Sequence, residues 1–386
     1  MFTRAHIAQG GPVDMMMGEL LSKDLQQVEA NSTTACRTAH LRCVQSFATL
    51  FFGTMHKQPE ITQRGYIQHG AALQKLNKAL DEPRCYLYDE VINAVMTLAM
   101  QETLMPTGPN LFLKHMEGLE KLVALRDPNA HYTPKTVTLY QCQRHMLLYA
   151  ALLAGKPCIL AKPEWKCFFH RHCANSQEEQ EQQLYNILAD CSVLASERDA
   201  KLSTTVNGEH GAARRCEGIR RKALGLCEHL KHWKRRWASD PTNTFIEVAL
   251  QPQQNQHELD ALTATRRTGF VFANLQSART LMLYNVALMY SLNILMSLPP
   301  DPQQQEESRT VWVQVAHSVI LDLCRILPPS VNTPWQREIH SSAIAYWAIQ
   351  SARAILLKDE STDATWLSNL LDRRNGYTLA GSMEET

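Results

Sequence analysis

Apolar residues recur at helical spacing along most of this chain. Across 66–80, Ile67, Ala71, Leu73, Leu76, Ala79 and Leu80 fall near i, i+3 and i+4 and leave Gln74, Lys75 and Lys78 for solvent. The next apolar run, VINAVMTLAM within 89–104, stops before Pro106 in a Met-Pro-Thr-Gly-Pro turn. Two further helices are predicted over 111–125, ended by Asp127-Pro128, and over 137–153, ended by Gly155 and Pro157. The run 280–300 carries no charge and has the roughly 20-residue length of a membrane span. Asn285, Ser291, Asn293 and Ser297 interrupt it, and such groups find partners inside a helical protein, so a buried core helix and no membrane partner are expected.

Strand signals are thin. Thr136-Val137-Thr138 and Val311-Trp312-Val313 lie beside helical patterns, and no Asn-Gly pair sits between alternating runs. The predicted fold is all-α, a large multi-helix body without significant sheet. Loops are expected at 53–60, 105–110, 126–134, 202–212, 240–244, 250–257, 298–308 and 328–334. The 202–212 loop is the natural divide between an N-terminal half, 1–201, and a C-terminal half, 213–386.

Composition adds limits. Of 386 residues 45% are apolar and 20% charged, enough to bury a large core and outside the range of disordered chains. A net charge of +1 excludes a general affinity for polyanions and leaves room for a local basic patch. The 11 cysteines are irregularly spaced and contain no Cys-x-x-Cys pair, which points to free thiols in a reducing compartment. No apolar run near the N-terminus suggests a secretory signal.

Nothing in the sequence forms a recognisable catalytic or cofactor motif, whether a glycine-rich phosphate loop, a G-x-S-x-G elbow or H-E-x-x-H. In Glu228-His229-Leu230-Lys231-His232 the histidines are three apart and crowded by cations, so a solvated helix face is expected there. Cys167, His170, His172 and Cys173 are soft or borderline ligands, but four within seven residues close poorly around one zinc ion. Glu102, His115 and His317 sit on apolar faces without a second group nearby and read as satisfied core or boundary residues. The expectation is no enzyme, no catalytic residue, no cofactor and no metal.

One charged feature stands out. Segment 213–237 carries nine cations, Arg214, Arg215, Arg220, Arg221, Lys222, Lys231, Lys234, Arg235 and Arg236. Against Glu217 and Glu228 they leave a net charge of +7. Leu224, Leu226, Leu230, Trp233 and Trp237 supply an apolar face to the same segment. Three readings stay open: a solvated amphipathic helix, a nuclear-import signal split between Arg220-Arg221-Lys222 and Lys234-Arg235-Arg236, or a contact to nucleic-acid phosphates.

Several segments, in order, resemble the fungal-specific transcription factor domain, the helical region C-terminal to a zinc binuclear cluster. LRCVQSFATLFFG at 41–53, YIQHGAALQKLNKAL at 66–80 and DEVINAVMTLAMQE at 89–102 are similar to its early helices. FLKHMEGLEKLVALRDP at 112–128 resembles its His-x-x-Gly…Arg-Gly-Pro stretch, with Asp127 where glycine is usual. CILAKPEWKCFF at 158–169, ALGLCEHLKHWKRRW at 223–237, YNVALMYSLNIL at 284–295 and IHSSAIAYWAIQSARAIL at 339–356 with WLSNLL at 366–371 continue the match.

The resemblance implies a helical body that regulates transcription in the nucleus. Its partners would be the transcription machinery or a related full-length factor, and a link to secondary-metabolite gene clusters belongs to the same expectation. The six-cysteine cluster that sets a helix into the major groove is missing, because no cysteine precedes Cys36. Tight sequence-specific DNA binding by this chain alone is therefore not expected. A cluster-less regulator and a chain that has lost its N-terminus both fit. The alternative function is sensing of a small-molecule effector, a lipid or metabolite, by the helical body.

Overall fold

The computed structural model describes residues 34–203, 209–249, 268–299, 307–327 and 342–375. They form two compact units that divide at Cys173/Ala174. Twelve α-helices and one two-stranded ribbon make up the described residues, predominantly all-α as the periodicity predicts.

The first unit is built on a helical hairpin. Helix α1 (Thr34–Met55) turns at 56–58 into α2 (Pro59–Leu80), whose Pro59 takes the first helical position where its missing N–H costs nothing. The two backbones touch. A Cβ on Gly65 would lie 2.7 Å from Leu50 Cα, and one on Gly53 would lie 2.6 Å from Thr62 N, so glycine is required at both crossings. Gly53 serves this approach rather than chain reversal, which is why the loop expected at 53–60 shrinks to three residues.

The same crossing sets the phase of α2. Its buried stripe is Gly65, His69, Ala72, Leu76 and Ala79. Ile67, expected on the inner face, is 68% exposed, and Ala71 and Leu80 are also exposed.

Helix α3 (Asp89–Leu104) is buried without interruption from Val91 to Ala99, the mark of a central helix. It packs against α1, α2, α4 (Leu111–Ala124) and α5 (Pro134–Leu153). Thr133 caps α5 by accepting from Thr136 N at 3.2 Å. A short turn over Ile159–Ala161 leads to α6 (Pro163–Arg171), whose Trp165 and Phe168 pack edge-on against Tyr140 at 5.3 and 5.5 Å.

In the second unit α9 (Leu275–Ser297) is the core. Around it pack α7 (Ser176–Leu202), α8 (Glu209–Ser239), α10 (Glu307–Ile326) and α11 (Ala343–Leu356), and α12 (Thr362–Asn375) rests on α10 and α11. Helix α9 is long and apolar enough to cross a membrane by length and composition, yet its most apolar window is 72% buried within the protein. Its polar groups mostly find partners there. Ser291 donates to Ala287 O at 2.9 Å, Ser297 accepts from Arg198 at 2.9 Å, and Asn293 accepts from Lys358 at 3.3 Å.

Two features depart from the sequence reading. Strands β1 (Phe245–Ala249) and β2 (Thr268–Phe272) form an antiparallel ribbon, in register from Phe245↔Phe272 to Ala249↔Thr268. Residues 250–267, which separate the strands and include the loop expected at 250–257, lie outside the described residues, so no tight turn announces the pairing. The units also divide one helix earlier than the 202–212 segment, since α7 and α8 pack on each other in the second unit. Residues 204–208, 300–306 and 328–341 lie outside the described residues, and with them the loop at 328–334 and most of that at 298–308.

Candidate interaction helix and buried polar groups

The basic segment folds as most of α8, whose side chains are described from Cys216 onward. Its inner face is Cys216, Ile219, Ala223, Leu226, Cys227, Leu230, Trp233 and Trp237, all buried. The two indoles anchor it: Trp233 Nε1 donates to Gln180 O at 2.8 Å and Trp237 Nε1 to Thr280 Oγ1 at 3.2 Å. The outer face carries Glu217, Arg221, Lys222, Glu228, His229, Lys231, His232, Arg235 and Arg236. Gly218 and Gly225 open onto empty space, so no other described element covers the helix at those points.

The six candidate cations do not share one face. Arg220 is only 3% exposed and donates through Nη2 to the carbonyl of Pro299. Lys234 lies over the rings of Trp237 and Tyr284, with Nζ 4.3 and 5.4 Å from their centroids. Burial pulls the Lys234 ammonium down to about 8, against the pull of Asp322 in the other direction. Four cations remain in solvent. Lys222 pairs with Glu197 at 3.1 Å, Arg236 donates to Gln183 at 2.7 Å, and Arg221 and Arg235 make neither a hydrogen bond nor an ion pair among the described residues. The two exposed pairs stand about 21 Å apart along the axis at 1.5 Å per residue.

The phase that buries Arg220 and Lys234 is legible in the sequence. Cys216, Arg220, Ala223, Cys227, Leu230, Lys234 and Trp237 recur at alternating steps of four and three, the stripe a helix turns toward its core.

The remaining candidates are engaged locally. His172 Nδ1 is 2.8 Å from Phe168 O, and Cys173 Sγ donates to Phe169 O at 3.3 Å, while Cys167 and His170 face solvent. Among the described residues no group of three or more histidine, cysteine or acidic side chains could hold a metal ion. His229 and His232 are exposed, and Glu228 pairs with Lys231 at 2.6 Å. Glu102 accepts from Thr107 N at 2.8 Å and Thr107 Oγ1 at 2.6 Å. His69 lies 3.5 Å from that carboxylate and 2.7 Å from Gln101, which in turn accepts from Ser46 at 3.2 Å. Burial holds both His69 and His115 below the usual histidine range. His317 pairs with Asp359 at 2.8 Å.

Two arrangements carry no short-range signal. Arg126 joins the start of α3 to α5: its Nη1 reaches Asp89 Oδ1 at 2.8 Å and Tyr140 Oη at 3.0 Å, and Thr136 donates to the other Asp89 oxygen at 2.7 Å. Beside it Asp127 accepts from Asn129 N at 2.9 Å and fixes the turn that follows α4. In the second unit a cleft of about 480 Å³ opens where the ends of α9 and α11 meet the start of α10.

Among the described residues these polar groups are engaged with one another, and no set of metal ligands converges. The sequence model of the fungal specific transcription factor domain matches residues 15–341. A protein of Emericella nidulans described as uncharacterized is 26% identical over 152 residues, which cover 39% of this chain and 32% of that relative. The match thus spans about a third of the relative's length. No solved structure matches. With a helical body, and a family match over far more than half its length, this chain belongs to the fungal specific transcription factor domain family.

Proposed function

We propose that the protein is a nuclear regulator of transcription that works through protein partners, either the transcription machinery or a related full-length factor. The outer face of α8 serves as its import signal. The observation that carries this is the set of four cations, Arg221, Lys222, Arg235 and Arg236, held in solvent on one helix by a buried indole face. An import receptor needs such side chains exposed, and the stripe also suits loose contact with phosphates. A link to a secondary-metabolite gene cluster is part of the same reading. The test is a fluorescent fusion with all four residues changed to Ala. The reading expects the fusion to spread into the cytoplasm while its circular dichroism is unchanged. A folded variant that stays nuclear refutes the import role.

A second reading, that the helical body responds to a small-molecule effector, is favoured by the cleft between α9, α10 and α11, whose volume falls in the range of ligand pockets.

A further inference from the structure

The cleft of the second unit has an apolar floor. Met296 on α9, Val313 on α10 and buried Ile355 on α11 line it. Charge is confined to the rim and is unevenly committed. Asp359 is taken: one oxygen pairs with His317 Nε2 at 2.8 Å and the other accepts from Ser361 N at 2.9 Å. Lys358 is not, for its Nζ donates only to the neutral amide oxygen of Asn293 at 3.3 Å. Arg309 is exposed and makes neither a hydrogen bond nor an ion pair among the described residues. Among the described residues Glu360 is the one lining acid that makes neither a hydrogen bond nor an ion pair.

Arg309 and Lys358 equal Asp359 and Glu360 in number, but neither cation has an acidic partner among the described residues, so both stand unpaired above an aliphatic floor. A neutral apolar ligand would leave both cations unused. A polyanion would meet Glu360 and Asp359 and would waste the floor. The chemistry that fits both parts is one carboxylate on an apolar body.

We propose that this cleft binds an amphipathic monocarboxylate, with its carboxylate against Arg309 and Lys358 and its body on Met296, Val313 and Ile355. The assignment rests on the effector reading above and names the ligand class for it. Such a ligand touches three helices at once, so its binding stabilises their arrangement by mass action.

The test is calorimetric titration of the full chain with octanoate and indoleacetate, beside the uncharged octanamide and indoleacetamide. The acids bind and raise the melting temperature, and the amides bind about tenfold more weakly or less, the worth of one charge-assisted hydrogen bond. Arg309→Gln and Lys358→Gln each weaken acid binding about tenfold. Both side chains are exposed, so the unliganded melting temperature of either variant stays where it was. Equal binding of acids and amides, undisturbed by Arg309→Gln, overturns the carboxylate assignment and leaves the effector reading standing. Failure of all four probes at millimolar concentration overturns both.

Discussion

Arg126 and Asp89 stand 37 residues apart in sequence and 2.8 Å apart in space, and their contact ties the turn after α4 to the start of α3. The guanidinium is almost fully buried, and Tyr86 O and Tyr140 Oη take two more of its donors. The desolvated charge is thus shared among three acceptors. Removing the cation strands the Asp89 carboxylate in a partly buried site.

Arg126→Ala is expected to cost about 3–5 kcal/mol, the range for breaking a buried pair by deleting one partner. Arg126→Lys should recover little of it, because one ammonium cannot reproduce the planar fork that meets three acceptors. Urea denaturation of the purified variants measures both. A loss below about 1 kcal/mol for the alanine variant would show that the network is incidental.

Glycines in α2 should respond in opposite directions. At Gly65 an added Cβ collides with the Leu50 backbone at 2.7 Å, so Gly65→Ala is expected to destabilise by about 1–3 kcal/mol. At Gly70 nothing lies within 4 Å, so Gly70→Ala should stabilise by up to about 1 kcal/mol through helix propensity. Thermal melts of the two variants on opposite sides of the parent are the expected result; two shifts of the same sign contradict the α1–α2 crossing.

The contrast shows where sequence reading reaches its limit. The helix over 89–104 can be placed to the residue, because Pro106 and its turn end it. The phase of α2 cannot be placed from apolar residues alone. Its inner face is decided by Gly65 and His69, a glycine chosen for backbone contact and a histidine satisfied by Gln101. The β-ribbon and the Arg126 network are pairings across long separations, which no local pattern encodes. On α8 the cations were visible and so was their phase; weighing charge without periodicity groups Arg220 and Lys234 with neighbours that face the other way.

Acid should weaken the first unit through His40. This side chain is 3% exposed, and its Nε2 has no hydrogen-bond partner. Burial first, and the charge of Lys135 second, pull its pKa from 6.5 to about 4. A folded-state pKa below the unfolded value means that the unfolded chain binds the proton first. The stabilisation is complete above pH 6.5 and is lost as pH falls toward about 4. At one unit per 1.36 kcal/mol the loss is on the order of 3 kcal/mol. Chemical denaturation at pH 7 and at pH 4.5 should show it, and a His40→Asn variant should show a flatter pH dependence. Identical slopes in parent and variant would assign the acid limb to other groups.

DNA binding by the chain alone should be weak, indifferent to sequence and strongly salt-dependent. Arg221, Lys222, Arg235 and Arg236 on α8 offer about four phosphate contacts, so log K should fall against log salt with a slope near −3.6. From ~50 to ~200 mM salt this amounts to about a hundredfold loss. Fluorescence anisotropy with two unrelated duplexes tests the claim; one duplex bound tightly at physiological salt contradicts it.

Single substitutions along α8 should separate its two faces. Arg220 reads as basic in sequence but is held by the carbonyl of Pro299 and buried beneath the helix. Arg220→Ala leaves that carbonyl short of a donor and empties the space of a long side chain, at a cost of about 2 kcal/mol. Import and phosphate contact should not change, since a cation 3% exposed meets neither a receptor nor a phosphate. Arg221→Ala, one residue on, should do the reverse. Its guanidinium is in solvent without an ion pair, so stability should move by no more than about 0.5 kcal/mol. Nuclear accumulation and low-salt DNA affinity should both fall, and the salt slope should shrink by about one unit as one phosphate contact is lost. Melting temperature, fusion localisation and anisotropy on the same two variants make the comparison. If Arg220→Ala releases the protein from the nucleus while its melting temperature holds, the inward placement of Arg220 is wrong and the whole basic segment acts as one exposed signal.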